Sequence, residues 1–195
     1  LDREYNKSLE KHDQTIYIAL GSHVILPRED ATKIVLGLIE AMDKGIMNGV
    51  IWAVGLPGRK DFDRKLVLTV GGKETTFGAL LDGMHGGWMF PTFAPQRGAL
   101  EHPITKVYFT HGDGSSANEG LFHEKPMKAM GIFFGGILNS AKLAATGSSL
   151  SLDRFTLTSL ELFSRVQLLI EGKEGEFKRN CAIGGEEEGI GSGFD

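Results

Sequence analysis

A chain of 195 residues, 41% apolar and 24% charged, is long enough for one domain with a sizeable core and has the composition of a globular protein. Its formal net charge of -4, with lysine and arginine scattered along the chain, argues against a nucleic-acid partner. A single cysteine, Cys181, rules out an internal disulfide, supplies no structural zinc set and fits a reducing, cytoplasmic setting; the longest apolar run, residues 130–138, is far short of the ~20 residues of a membrane span.

Residues 1–14 read as a linker or amphipathic opening segment without a targeting signal, and the start at Leu1 reads as a fragment of something longer. Residues 15–21 (TIYIALG) are apolar on both faces, as in a central strand of a covered parallel sheet. Gly21-Ser22 turns the chain, and Pro27 opens a helix whose apolar positions Ala31, Ile34, Val35, Leu38, Ile39 and Met42 follow helical spacing. Residues 50–54 (VIWAV) form a second strand that Leu56-Pro57-Gly58 breaks. The stretch 58–87 is poorly patterned, with strand composition only at 66–70.

Residues 88–92 read as a third strand, 99–102 as a short helix ended by Pro103, and 106–110 (KVYFT) as a fourth strand. A helix over 115–122, a fifth strand over 127–132, a helix after Gly136 carrying Ile137, Leu138, Ala141, Leu143 and Ala145, a sixth strand over 148–152 and a helix starting at Thr158 complete the pattern. Alternation of this kind implies an α/β, Rossmann-like, doubly wound parallel sheet of about six strands, occupying residues 15–183. Glycine fills 27 positions, about twice the usual share, and is dense in residues 184–195 (GGEEEGIGSGFD), which read as a disordered acidic tail.

The fourth strand runs straight into His111-Gly112-Asp113-Gly114-Ser115-Ser116. A strand, a glycine-rich turn and the start of a helix make an anion site, because first-turn amides lack intrahelical partners and carry partial positive charge. Ser116-x-x-Glu119 equally fits a capping box, and Phe93 fits core packing as well as a stacking role. Neither the GxGxxG spacing of a dinucleotide fingerprint nor the lysine of a P-loop is present. Ligands in such sheets bind beyond the carboxyl ends of the strands, and Ser22, Phe93, His111 and Ser115 all follow strand ends.

Residues 93–136 resemble the donor-binding box of the UDP-dependent glycosyltransferases. Phe93-Ala94-Pro95-Gln96 stands at its opening, His111 lies eighteen positions later and Glu119 eight beyond that, without a gap. The resemblance implies the carboxyl-terminal half of a two-domain GT-B enzyme that transfers a hexose from a UDP-sugar to a small acceptor. It puts a connecting helix near 75–81, the preferred reading of that stretch. It assigns Phe93 to stacking on uracil and the Ala94 backbone to its edge, Gln96 and Glu119 to the ribose, and His111, the amides of Gly112, Gly114, Ser115 and Ser116, and Ser22 to the diphosphate.

Departures from the family pattern are specific. Gly135-Gly136 replaces the Asp-Gln that holds sugar hydroxyls, Asp113 replaces a glycine and brings a carboxylate beside the phosphate site, Ser115 replaces Asn or Gly, and Phe93 replaces Trp. The family's acceptor base is a histidine on an amino-terminal domain; His12, His23, His85, His102 and His123 do not match its context, so no catalytic base is assigned to this chain. No metal is required, since His111-x-Asp113 and His123-Glu124 are too sparse for a ligand set. The sequence thus supports the donor half of an enzyme that works with an amino-terminal acceptor domain or partner chain, a non-catalytic UDP-binding subunit, or a diverged copy that binds donor weakly.

Overall fold

A computed structural model describes residues 12–21, 24–132, 134–172 and 175–187. In chain order the elements are β1 (Thr15–Ala19), α1 (Arg28–Asp43), β2 (Gly49–Ala53), α2 (Leu56–Arg59), β3 (Val67–Val70), β4 (Lys73–Thr76), α3 (Phe77–Leu81), β5 (Trp88–Met89), α4 (Gln96–Glu101), β6 (Thr105–Thr110), α5 (Gly114–Phe122), β7 (Met127–Ala129), α6 (Phe134–Ala145), β8 (Ser149–Ser151), α7 (Ser159–Glu171) and α8 (Glu176–Glu187).

Six strands form one sheet in the order β5-β2-β1-β6-β7-β8, and every pairing is parallel. The expected six-stranded, doubly wound architecture is therefore the one observed. β1 explains its own apolar sequence: Ile16 and Ile18 enter the core on one face, Tyr17 and Ala19 the core on the other. β6 repeats the arrangement with Val107 and Phe109 against Tyr108. Burying both faces of the central strands gives each large apolar side chain ~1.5–3 kcal/mol of hydrophobic transfer, which is why such residues fill their middles. The first core is roofed by α1 packed on α7, the second by α5 packed on α8.

Several boundaries differ from the sequence reading, each for a local reason. The poorly patterned stretch holds both a strand pair and a helix: β3 and β4 form an antiparallel hairpin outside the main sheet, and α3 starts only at Phe77, with the Thr76 hydroxyl accepting from Ala79 N at 3.2 Å. An aromatic cluster ties this excursion down, with Trp52–Phe62 tilted at 5.3 Å between centroids and Phe62–Phe77 stacked at 5.1 Å. The third strand shortens to Trp88–Met89, because Pro91 has no amide to continue the ladder. The fifth strand ends at Ala129, and the short helix starts at Gln96 rather than at residue 99.

The expected disordered tail is also corrected. α8 runs through residues 184–187, with Gly184 and Gly185 buried and close to Leu121 on α5. Small residues there let the two helices approach, and Cys181, fully buried, donates its thiol to Lys125 O at 3.3 Å. Residues 188–195 lie outside the described residues. Among the described residues no helix is long and apolar enough to cross a membrane.

Candidate functional site

β1 and β6 are neighbours in the sheet, but the chain winds outward from them in opposite directions, to β2 and β5 on one side and β7 and β8 on the other. Loops leaving their carboxyl ends therefore part, and a crevice opens between them. It is a cleft of about 420 Å³ lined by Tyr17, Ala19, Gly21, Ala53, Thr92, Phe93, Ala94, Gln96, His111, Asp113 and Ser116, among others. Phe93, Ala94, Gln96, His111 and Ser116 of the expected site meet here. Ser22 lies outside the described residues, and Gly112, Gly114, Ser115, Glu119, Gly135 and Gly136 do not line the cleft.

His111 sits at the floor, its side chain 11% exposed. Its ring packs over Gly21, where an added Cβ would stand 3.2 Å from Cε1 and Nε2, so a side chain at 21 would push the imidazole away. Nε2 lies 3.1 Å from Asp113 Oδ2, and the buried Nδ1 has no hydrogen-bond partner among the described residues. An ordinary solvated strand-end histidine is not what the fold presents.

The anion end of the cleft differs from expectation. The N-cap of α5 is Asp113, not Ser116, and its Oδ1 accepts from Ser116 N at 2.8 Å. The Gly112 amide is engaged too, donating to Thr110 Oγ1 at 3.2 Å. Two of the amides expected to face a phosphate are thus already bonded within the protein. Burial alone would push the Asp113 carboxyl up, but the hydroxyl and amide of Ser116, with His111, hold it below its ordinary value. A carboxylate ionised at neutral pH therefore borders the turn. Behind it, burial pushes the Tyr108 phenol up to about 12, so that ring stays neutral and stacks on Tyr17 at 5.5 Å.

The other end matches expectation more closely. Phe93 is 80% exposed, which removes the core-packing alternative and leaves an aromatic face at the rim of the cleft. Gln96 Nε2 donates to Glu119 Oε2 at 2.6 Å, joining two residues twenty-three positions apart. Arg97 Nε approaches Glu119 Oε1 at 3.6 Å. Glu119 does not fold back onto the start of α5, so the capping-box reading of Ser116-x-x-Glu119 fails on both counts.

Gly135 and Gly136 lie in the first turn of α6, which begins before residue 136 rather than after it. Gly135 is exposed, whereas a Cβ on Gly136 would stand 2.5 Å from the His111 carbonyl oxygen. The helix is seated on the backbone of the His111 turn, and only glycine allows that approach. Gly136→Ala is expected to cost ~1–3 kcal/mol by overpacking, seen as a lower midpoint in urea unfolding. Sequence reasoning missed Gly21, Tyr17 and the capping role of Asp113; the Asp-Gly-Ser-Ser spacing carried the signal for the last of these.

Among the described residues no group of three His, Cys, Asp or Glu side chains is arranged to hold a metal ion. The family model described as UDP-glucoronosyl and UDP-glucosyl transferase matches residues 86–183. UDP-glycosyltransferase FPY2 of Fusarium mangiferae is 33% identical over 181 residues, covering 92% of this chain and 33% of the relative. UDP-glycosyltransferase stmC of Aspergillus ustus is 33% identical over 175 residues, covering 88% of this chain and 33% of its own length. This chain spans about a third of the curated relatives it matches. Among solved structures, Os79 of O. sativa in complex with UDP superposes with a TM-score of 0.75 at 16% identity, over 93% of this chain and 38% of that one. TcCGT1 in complex with UDP gives 0.72 at 24% identity, over 96% and 41%. These two share the fold.

Proposed function

The chain belongs to the UDP-glucoronosyl and UDP-glucosyl transferase family, and from that premise we propose that it is the carboxyl-terminal donor-binding domain of an enzyme that transfers a hexose from a UDP-sugar to a small acceptor. Uracil stacks on Phe93 with the Ala94 backbone at its edge, Gln96 and Glu119 take the ribose hydroxyls, and His111 with the turn at Gly112, Gly114, Ser115 and Ser116 takes the diphosphate, helped by Ser22. The sugar lies toward Gly135 and Gly136. No metal enters this reading, and the free, buried Cys181 is in keeping with a reducing, cytoplasmic setting.

In the reaction the acceptor oxygen bonds to the anomeric carbon as the bond from that carbon to the diphosphate breaks, and UDP leaves with the electron pair. The base that takes the acceptor proton belongs to an amino-terminal domain or partner chain. This chain's share is to hold the donor and to stabilise charge on the departing diphosphate by preorganised dipoles. Glu119 is held beside the cleft by the bond from Gln96 Nε2, and in this reading the ribose hydroxyls displace or share that contact.

The observation that carries the proposal is convergence: Phe93 and Gln96 from the segment after β5, and His111 and Ser116 from the segment after β6, line one cleft at the reversal of the sheet. UDP is expected to raise the melting temperature of the chain, because a ligand of the folded state alone stabilises it by ~2.7 kcal/mol at a hundred times its dissociation constant. An unchanged melting temperature at millimolar UDP would instead favour the diverged copy. One feature supports that second reading, namely the Asp113 carboxylate seated on the Ser116 amide.

A further inference from the structure

A second cleft, of about 470 Å³, opens at the opposite, amino-terminal end of the sheet. Gln14 precedes β1, Thr105 and Lys106 begin β6, and Pro126 precedes β7, so the length of a strand, roughly 20 Å for six residues, separates it from the donor cleft. Lys106, Lys125 and Lys178 line it, from β6, the α5–β7 loop and α8. Among the described residues that line it, Glu124 is the acidic one. On a chain of net charge -4, this is a local excess of positive charge held in a concavity.

The lysines are positioned rather than splayed into solvent. Lys106 Nζ donates to Pro103 O at 2.9 Å and Lys125 Nζ to His102 O at 3.4 Å, which brings two ammonium groups to adjacent carbonyls of one loop. A carbonyl acceptor orients an ammonium group without neutralising it, and each keeps further N–H donors. Lys178 Nζ stands 3.6 Å from Glu124 Oε2 with both side chains at least half exposed, a contact of little energy. Glu124 itself has φ 51, an unusual backbone state for a residue with a side chain, at the corner that turns Lys125 into the cleft.

We propose that this lysine-lined cleft is a binding site for a short oligophosphate anion, with Lys106, Lys125 and Lys178 as its cationic contacts. Lysine serves phosphate as a compact point charge, and two phosphoryl groups match three ammonium groups set against one carboxylate. Burial, then Lys178 and Lys106, pull Lys125 down to about 8, against the opposing pull of Glu124, so the cleft by itself is close to releasing a proton that an anion would retain. Binding is therefore accompanied by proton uptake near that pH.

The test is calorimetric titration of the 195-residue chain with inorganic pyrophosphate at low salt, in buffers of different ionisation enthalpy, alongside amide NMR. Binding that perturbs the amides of residues 104–106 and 124–127, takes up protons near pH 8, and weakens at least ~10-fold in Lys125→Met and in Lys106→Met/Lys178→Met is the expected result. NMR on the unsubstituted chain reports the site even where a variant folds poorly. No binding at millimolar pyrophosphate overturns the proposal. So does binding unchanged in the lysine variants with perturbations around His111, which would place the anion in the donor cleft instead.

Discussion

Lys128→Met is expected to stabilise the folded chain by several kcal/mol near pH 6, with the gain shrinking as the pH rises toward 10. Lys128 lies on β7 between Phe109 of β6 and Leu150 of β8 and is fully buried, a placement almost never seen for an unpaired lysine. Burial, with Arg165 across from it, pulls its ammonium down to about 7, and Glu161 opposes only in part. Between about 7 and the ordinary 10.5, the unfolded chain holds a proton that the folded chain lacks, so stability rises with pH there. Below about 7 both states are protonated and the folded state carries the whole cost, on the order of 5 kcal/mol as an upper bound.

Methionine has a similar length and an adaptable, apolar stem, so it fills the space without the charge. What it forfeits is the 2.8 Å bond from Lys128 Nζ to Ser151 O, worth ~1 kcal/mol, which is the smaller of the two effects. Urea unfolding of both proteins at several pH values checks the sign. Their difference is the informative quantity, because other groups titrate as well: the Cys181 thiol, pushed up to about 12 by burial, removes stability as the pH climbs past 9. A variant less stable near pH 6, with the same pH slope as the parent, would mean that Lys128 keeps its charge through a solvated path.

The same strand illustrates where the sequence was legible and where it was not. β1 and β6 are readable because burial on both faces forces an unbroken apolar run, whereas the spacing from Phe93 to Glu119 is readable only through its resemblance to the family's donor-binding box. Met127-Lys128-Ala129 was readable as a strand, yet its lysine passed as unremarkable, since nothing local distinguishes a solvated lysine from one held under α7. Of the β3–β4 hairpin only the strand composition at 66–70 shows in the sequence, because β4 is polar and exposed and the anchor is tertiary: Phe62 packs on Trp52 and stacks on Phe77. α8 escaped because GGEEEG has the composition of a solvated tail, while the contact of Gly184 and Gly185 with Leu121 exists only in three dimensions. At the start of α5 residue type alone leaves the cap open: Asp113 is as good a cap as either serine, and it lies two and three positions before them.

Asp113→Asn is expected to tighten UDP binding about tenfold. Asparagine retains a side-chain oxygen for the Ser116 amide, so α5 keeps its cap, while the full negative charge beside the donor cleft is lost. A carboxylate within ~8 Å of a phosphate charge, at an effective dielectric of ~20–40, repels it by ~1–2 kcal/mol, and 1.4 kcal/mol is a factor of ten. Because Ser116 and His111 hold the carboxyl below its ordinary value, the charge persists through neutral pH and is relieved only in acid. Because the phosphate of UDP titrates as well, the difference is the informative quantity: the advantage of the variant over the parent should shrink as the pH falls through that range, and it should narrow in high salt. Calorimetry with UDP, paired with unfolding of both proteins to confirm an intact cap, separates the outcomes. Equal or weaker affinity in a variant of unchanged stability would mean that the diphosphate does not lie against this turn, and the donor reading of the cleft would lose its anion end.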